Sequence, residues 1–596
     1  MIKKFIKSRI SSFLFFYGYL GPKVFFSMSL SLFVGILDGF GLSMFLPLLK
    51  TFNDTKKGEE LNIGNLNFLL DGLRGMGVSI TLESILVFMF VFFLLKGVAT
   101  YLSYIYKVSL QQEFVKKIRF DILRAFNSIK FKSFINTDIG RIQNTMSGEV
   151  ERVSQAYSTY FGAFEQGVLV AVYMAFAFFV DVKFAFLVSV GGFLTTFIYK
   201  IIYKHTKGAS RKLTNSSNSY QGQIIQHVNN FKYLKATGNV DLFSAKLEKT
   251  IEDIENTRRK IGILLGISQS VREPLLIGVV VIIIFIQTKI MGGDIAPLLI
   301  SLLFFYRALT ALTNMQQQRN SFVSVSGSLE NLLEFQNELN SAVETEGDKK
   351  YTKLQKGISI KDVDFSFGNA KILKHISLDI EKSKTVAFVG ESGSGKSTLV
   401  NLICGLLPYD GGSIRVDGDE LSEMDRKTYQ KKIGYISQDP VIFNDSIYNN
   451  ITLWSDMNEQ NKARFENVIK QASLFDFIGE LPQGMDTPLE NNGINLSGGQ
   501  RQRISIAREL FKEVDLLIMD EATSALDSET EKAIQDSIDS LKGYYTIIII
   551  AHRLSTIKNV DKVVFLKDGG VESEGTFEEL VRSVPRFRKM VELQEL

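Results

Sequence analysis

Six apolar runs in the first half of the chain most restrict what it can fold into. They fall at about 24–49, 82–106, 160–180, 184–203, 264–286 and 295–312. A membrane span needs roughly 20 apolar residues, and inside a bilayer only a helix or a closed barrel satisfies every backbone N–H and C=O. Runs of this length predict helices, and six of them return the chain to the side on which it began. Only Asp181, Val182 and Lys183 separate the third run from the fourth, which predicts a tight turn. Ahead of the first run, residues 5–20 mix Lys7 and Arg9 with Phe13, Phe15, Phe16 and Tyr17 at helical spacing. That pattern predicts an amphipathic helix lying in the membrane interface. The basic opening residues are followed by no short apolar core with a small-residue cleavage site, so they do not read as a cleavable signal peptide.

Two intervals between spans, 107–158 and 204–260, are long and rich in Lys and Arg, as is the N-terminus. The positive-inside rule places them in the cytoplasm. Structureless loops of that length are uncommon, and apolar spacing over 110–129 and 242–259 predicts helices that continue below the membrane. The interval between the first two spans lies on the other side. Its stretch 65–76 is short and amphipathic, and reads either as a loop folded on itself or as a helix resting on lipid.

Asp38, Lys96, Glu165, Arg272, Glu273 and Arg307 fall within or near the ends of the apolar runs. A charge at the bilayer centre costs about 2.5–3.5 kcal/mol even on lenient scales. Such residues therefore pair with one another or face a watery cavity. The first reading makes them structural ion pairs. The second makes Lys96, Arg272 and Arg307 a basic wall around an anionic substrate.

The whole-chain figures, 45% hydrophobic, 22% charged and net +4, average two unlike halves. After a polar linker at 341–356 the sequence reads as a soluble α/β domain over 357–596, behind a membrane domain at 1–340. The small net charge and the lack of a basic stripe argue against a nucleic-acid partner. Cys404 is the only cysteine, can form no internal disulfide and reads as a small core residue in a reducing compartment.

A strand-like run at 385–389 leads into Gly390, Glu391, Ser392, Gly393, Ser394, Gly395, Lys396 and Ser397, and Thr398 opens an apolar helix-like run. This is the G-x-x-x-x-G-K-[ST] phosphate loop in its strand–loop–helix setting. Its glycines let backbone N–H groups and the helix N-terminus wrap a polyphosphate. Lys396 reaches the β- and γ-phosphates and Ser397 offers its hydroxyl to Mg²⁺. Further on, 515–519 is a buried strand ending in Asp520 and Glu521. These are the carboxylates such a loop needs, Asp520 for Mg²⁺ and Glu521 to polarise the attacking water. The pair of features predicts binding of a nucleoside triphosphate.

Leu496, Ser497, Gly498, Gly499 and Gln500, followed by Arg501 and Arg503, resemble the signature sequence of ATP-binding cassette (ABC) proteins, and lie ahead of the Asp520 strand as that family requires. The resemblance covers the whole second half. Gln438 is similar to the Q-loop glutamine that reaches the metal, Ser524 to Asp527 to the D-loop, and His552 to the switch histidine. Phe367 falls where the family carries an aromatic that stacks on adenine. Phe keeps the π-face that such stacking uses. One motif departs from the family pattern. Where exporters carry T-x-V-G-E-x-G, this chain has Thr487, Pro488, Leu489, Glu490, Asn491, Asn492 and Gly493, so the usual Glu position is Asn491.

The resemblance implies an all-α six-helix transmembrane domain of the ABC exporter type, followed by a cytosolic α/β P-loop nucleotide-binding domain with a helical subdomain. It implies ATP and Mg²⁺ as cofactors. It also implies a second cassette meeting the first head to tail, so that ATP on Lys396 of one chain is closed over by Ser497, Gly498, Gly499 and Gln500 of the other. The partner is then a second copy of this chain or a related half-transporter. Residues 132–142 resemble the first cytoplasmic coupling region, and 214–222 the second. The 37–49 stretch, the outer amphipathic piece and the basic positions Lys96, Arg272 and Arg307 are similar to lipid-linked oligosaccharide flippases. Arg and Lys suit a pyrophosphate link. A multidrug or peptide exporter of the same fold is the alternative cargo reading. An ATP-gated channel or regulator is less consistent with an intact Glu521. A multi-pass protein of a bacterial inner membrane is expected.

Overall fold

The computed structural model describes residues 12–45, 47–48, 75, 77, 81–180, 182–285, 295–344, 346–490, 493–520, 536, 539–551 and 554–595. The interval 65–76 between the first two spans, apart from Gly75, lies outside the described residues. The chain divides into two compact units, Met1–Ile129 with Ile135–Val343, and Lys130–Phe134 with Glu344–Leu596.

The described residues of the first unit are mostly helical, with short turns between helices and one bridge, Ile129 to Val343. In chain order its main helices are α1 (Lys23–Ser43), α2 (Leu82–Asn127), the short α3 (Phe131–Ile135) where the chain passes through the second unit, and α4 (Ile139–Asn144). A π-helical turn, Thr145–Glu149, runs on into α5 (Val150–Val180). Then come α6 (Val182–Asn229), α7 (Phe231–Ala236), α8 (Val240–Ser270), α9 (Arg272–Phe285) and α10 (Ile295–Ser341). The described residues of the apolar runs fall largely on these helices; the first run outlasts α1, which ends at Ser43, and the fifth crosses the break between α8 and α9 at Val271. The stretches Lys23–Ser43, Leu82–Asn127, Ile139–Phe179 and Val240–Ile282 are by length and composition able to cross a membrane.

Helix α2 shows how one segment serves two solvents. It starts at a capping box in which the Thr81 hydroxyl accepts from the Ser84 N–H and the Ser84 hydroxyl accepts from the Thr81 N–H. Its first part exposes Phe90 (66%), Leu94 (51%), Val98 (52%) and Tyr101 (65%) at helical spacing. A continuous apolar stripe of that size is unfavourable in water and suits lipid. Its last part changes character and buries Leu110, Phe114, Ile118 and Ile122 in a protein core shared with α5 and α10.

Residues 12–20 form a helix, and its aromatic residues turn inward. Phe16 is fully buried and meets Phe114, Tyr157 and Phe161 at ring distances of 5.3, 5.6 and 5.7 Å, while Leu14 faces outward. The Lys117 ammonium donates to the Tyr19 carbonyl at 2.8 Å, and Lys23 pairs with Glu113 at 2.7 Å. This segment is thus fastened to α2 through its aromatic face.

Residues 214–222, expected as the second coupling region, form no turn. Those residues lie inside the unbroken α6, and the reversal comes at α7, closed by Gly238 at φ +69°. Residues 214–222 pack against α4 instead. A Cβ on Gly140 would stand 2.3 Å from the Gly222 backbone nitrogen, so glycine is what permits this crossing.

The second unit carries a four-stranded sheet, a six-stranded sheet and a two-residue parallel pair, Lys349–Lys350 with Met424–Asp425. In a four-stranded antiparallel sheet, β1 (Gly357–Phe367) lies between β2 (Ala370–Glu381) and β4 (Gly411–Val416), with β5 (Asp419–Glu420) at the edge. The larger sheet has six strands. The loop-bearing β3 (Thr385–Gly390) lies between β8 (Thr546–Ile550) and β9 (Lys562–Lys567). Beyond β8 come β7 (Leu516–Asp520) and β6 (Ile433–Ile436), and β10 (Gly570–Gly575) pairs antiparallel outside β9. All other neighbours in this sheet are parallel, and β3 and β8 are buried along their whole length. Near-continuous apolar sequence is what a strand covered on both faces requires.

Candidate functional site

Register fixes where the loop and the carboxylates emerge. Ile550 of β8 sits opposite Phe388 of β3 on one side and opposite Asp520 of β7 on the other. Asp520 and the loop after β3 therefore leave the sheet at the same carboxyl edge, where parallel α/β sheets hold ligands.

The loop is held open by backbone geometry. Gly393 and Gly395 take φ of +82° and +99°, which L side chains rarely adopt, and a Cβ on Gly395 would stand 2.5 Å from Leu373 Cδ2. Gly395 caps the helix that follows, α11 (Lys396–Ile403). Lys396 is 6% exposed, and its ammonium donates to the carbonyls of Gly390 and Glu391, both at 3.0 Å. The amine is thereby folded along the loop it belongs to. Ser397 and Ser392 are exposed, Ser394 is buried, and Thr398 is half-buried. Glu391 has a partner that its motif does not predict, accepting from Arg586 Nε at 3.1 Å and Nη2 at 2.6 Å.

Asp520 is half-buried, and one carboxylate oxygen, Oδ2, accepts from the Tyr435 hydroxyl at 3.0 Å. Burial and this carboxylate push the Tyr435 phenol well above its ordinary range. Gln438 is exposed, two residues past the end of β6. The donors that Ser397, Gln438 and Asp520 offer are all hard oxygens, which is the set Mg²⁺ takes. The residues present fit that ion. Glu521, Asp527 and His552 lie outside the described residues.

Phe367 ends β1, is 38% exposed, and meets the fully buried Phe365 edge-on at 4.8 Å. One ring is anchored in the core and the other is partly open to solvent. The Lys132 ammonium lies 5.5 Å from the Phe365 ring.

The signature heads helix α12 (Gly498–Phe511). Ser497 and Gln500 form a reciprocal capping box. The Ser497 hydroxyl accepts from the Gln500 N–H at 3.2 Å, and Gln500 Oε1 accepts from the Ser497 N–H at 2.8 Å. Ser497 and Gly498 are exposed, Gln500 is half-buried and Gly499 is buried. The positive end of a helix is therefore presented at the surface. In the motif at 487–493, Asn491 and Asn492 lie outside the described residues.

Arg508 of α12 is a contact that sequence reasoning misses. It is 5% exposed and donates to the carbonyls of Asn450 at 2.6 Å and Val441 at 2.7 Å, and to Asn450 Oδ1 at 3.1 Å. It ties the signature helix to the segment that follows Gln438. Burial lowers its pKa. Nothing in the sequence sets Arg508 apart from Arg501 and Arg503 of the same helix.

In the membrane unit, Lys96 is committed to a partner. Its ammonium donates to Asp38 Oδ1 at 2.6 Å, and the Tyr173 hydroxyl donates to the other oxygen of the same carboxylate. Asp38 is 3% exposed, so an unpaired ammonium or carboxylate here would be costly. Glu165 likewise pairs with Lys107 at 2.6 Å. The expected basic wall thus loses Lys96 to an ion pair. Arg307 is exposed, and among the described residues it has no carboxylate partner. Arg272 is described through its backbone alone.

Comparison with known proteins agrees with this architecture. The family model for the ABC transporter transmembrane region matches residues 24–316, and the ABC transporter model matches residues 373–524. The chain is 31% identical over 539 residues to the ATP-dependent lipid A-core flippase of Francisella novicida, covering 87% of this chain and 89% of the relative. It is 30% identical to the heterocyst differentiation ATP-binding protein HepA of a Nostoc species, over 84% of this chain and 82% of that protein. Its fold is similar to that of a bacterial Atm1-family ABC exporter solved with ATP bound. The TM-score is 0.79 at 21% identity, covering 97% of this chain and all of the other.

Proposed function

This chain belongs to the ABC transporter family, as an exporter whose ATPase drives transport across a membrane it spans several times, and from that premise we propose that it flips a lipid-linked oligosaccharide. The observation that carries a lipid cargo is the likeness to ATP-dependent lipid A-core flippases, which extends over 87% of the chain and so includes the membrane half. The glycan-linked, anionic head group is the finer part of the reading. It is supported by Arg307, an exposed cation on an apolar helix with no carboxylate partner among the described residues. Arg suits phosphate oxygens because its planar fork donates two hydrogen bonds in parallel.

The working unit is a symmetric homodimer in a bacterial inner membrane, with residues 1–340 in and below the bilayer and 357–596 in the cytosol. Lys396 and the loop N–H groups hold the β- and γ-phosphates of ATP, and Phe367 stacks on adenine. Ser397, Gln438 and Asp520 would hold Mg²⁺, which neutralises charge on the phosphates when bound. Glu521 takes a proton from the attacking water, and His552 steadies the γ-phosphate. The partner's signature helix supplies N–H donors from across the interface, so the site is complete only when two cassettes close. Closure opens the membrane cavity outward, and hydrolysis with phosphate release resets it.

The reading is tested in proteoliposomes that contain a lipid-linked oligosaccharide, a plain phospholipid or a neutral drug. ATP-dependent movement is expected for the lipid-linked glycan. Arg307→Ala is expected to slow that movement roughly 10- to 100-fold, the value of a lost charge-assisted hydrogen bond, and to slow ATP hydrolysis far less. Equal loss of both assigns Arg307 a structural role, and preferential movement of the drug removes the lipid cargo.

A further inference from the structure

We propose that Tyr435 is a positioning residue for the metal-holding carboxylate, fixing which oxygen of Asp520 is turned to the nucleotide. The inference rests on the reading of Asp520 as a Mg²⁺ ligand.

The geometry follows from strand register. Tyr435 of β6 sits opposite Ile518 of β7, and Ile436 opposite Met519. Side chains alternate along a strand, so Asp520 projects on the same face as Ile518 and Tyr435, two residues nearer the carboxyl edge. Two residues rise about 6.6 Å, a distance that a tyrosine spans when its ring leans along the strand. The phenol ends 3.0 Å from Asp520 Oδ2. That face is the one covered by α11. Tyr435 packs on the core that holds Leu399, Val400 and Ile403 of the helix directly after the phosphate loop.

The backbone of Tyr435 is held independently of its side chain. Its N–H donates to Glu509 Oε2 at 3.3 Å. Glu509 belongs to the signature helix, is 6% exposed, and pairs with Lys512 at 2.7 Å. One residue is therefore fixed from the signature helix by its main chain and itself fixes the carboxylate by its hydroxyl. A carboxylate with one oxygen engaged has lost its freedom to flip. Oδ1 would then be the oxygen left to hold a metal, with no reorientation cost. Partners of this kind, one bond removed from the ion, typically change metal affinity by about 10- to 100-fold when deleted.

The test uses the full-length protein in nanodiscs, with Mn²⁺ as a paramagnetic substitute and a fluorescent ATP analogue. Tyr435→Phe removes the hydroxyl and keeps the ring. Tyr429→Phe is the control, since the Tyr429 hydroxyl donates to the Ile403 carbonyl at 3.1 Å in the same core and does not touch Asp520. Mn²⁺ half-saturation by electron paramagnetic resonance is expected to rise about tenfold or more in Tyr435→Phe. It should stay at the wild-type value in Tyr429→Phe. Nucleotide affinity measured in EDTA should be the same in all three proteins. An unchanged Mn²⁺ titration in Tyr435→Phe overturns the proposal, and so does an equal shift in both variants, which marks general loosening of the core. A wild-type protein that binds no nucleotide at saturating Mn²⁺ removes the ATP site itself, and the inference with it.

Discussion

Replacing Glu521 by Gln leaves ATP bound and nearly stops its turnover. The amide matches the carboxylate in size and keeps a polar atom near the water, but it cannot accept the proton. A positioned general base contributes about 10²- to 10⁴-fold, so steady-state phosphate release is expected to fall by that range, about 2.7–5.4 kcal/mol of activation free energy. Asp520 and Lys396 are untouched, so nucleotide affinity is retained. Because separation of the cassettes follows hydrolysis, the variant should accumulate in the closed, ATP-bound dimer. Distance measurements between spin labels on the two cassettes read that population directly. Sustained phosphate release by Glu521→Gln would remove Glu521 as the principal base.

Lys396→Ala acts one step earlier. The Lys396 ammonium is 6% exposed and held along the loop by the Gly390 and Glu391 carbonyls. Those carbonyls are weaker partners for an ammonium than a doubly charged phosphate, which makes transfer of the amine to ATP favourable. Charge-assisted hydrogen bonds of this kind contribute about 1.5–3 kcal/mol each. Affinity for ATP is therefore expected to fall roughly 10- to 100-fold, and hydrolysis to fall with it. The loop retains its shape, because Gly393 and Gly395 set it through their backbone. Equilibrium binding and a thermal melt on the same sample separate the two effects. Weakened binding with an unchanged melt is the expected pair of results. Unweakened binding would mean that Lys396 does not meet the phosphates.

What was legible in the sequence was local. The apolar runs announce helices because a bilayer leaves the backbone no other choice, and Gly390 to Ser397 announces its own conformation because only glycine accepts φ near +90° at Gly393 and Gly395. Asp520 could be placed at a strand end because 516–519 is apolar throughout. Whatever depends on helix rotation or distant partners was not legible. Lys96 and Asp38 are 58 residues apart, and nothing in either segment shows that their helices turn these side chains toward each other. The aromatic face of 12–20 reads equally well against lipid or against protein, and Phe114 decides for protein. The second coupling region was misplaced because the resemblance that put it at 214–222 carries no local signal of where α6 ends; Thr214 and Ser217 belong to that helix. In the structure they lie on the inner side of α6, both buried, where Ser217 accepts from Arg152 at 3.3 Å. Tyr435 reads as an ordinary strand aromatic until register brings it to Asp520, 85 residues away.

The composite ATP site is the center of this account, and mixed dimers of two disabled chains test it most directly. One chain carries Lys396→Ala. The other carries Gly498→Asp, which places an anion at the exposed first position of the signature helix, where it suits the helix dipole and repels a phosphate across the interface. Gly498 has no left-handed φ, so the substitution is not strained. Each variant alone forms dimers with both sites broken. If sites are shared between chains, a mixed dimer unites the intact Lys396 of one chain with the intact signature of the other and so recovers one whole site. Doubly tagged, co-purified mixed dimers are expected to hydrolyse ATP although both parents do not. Mixed dimers as inactive as their parents would contradict the account, because every site would then lie within a single chain.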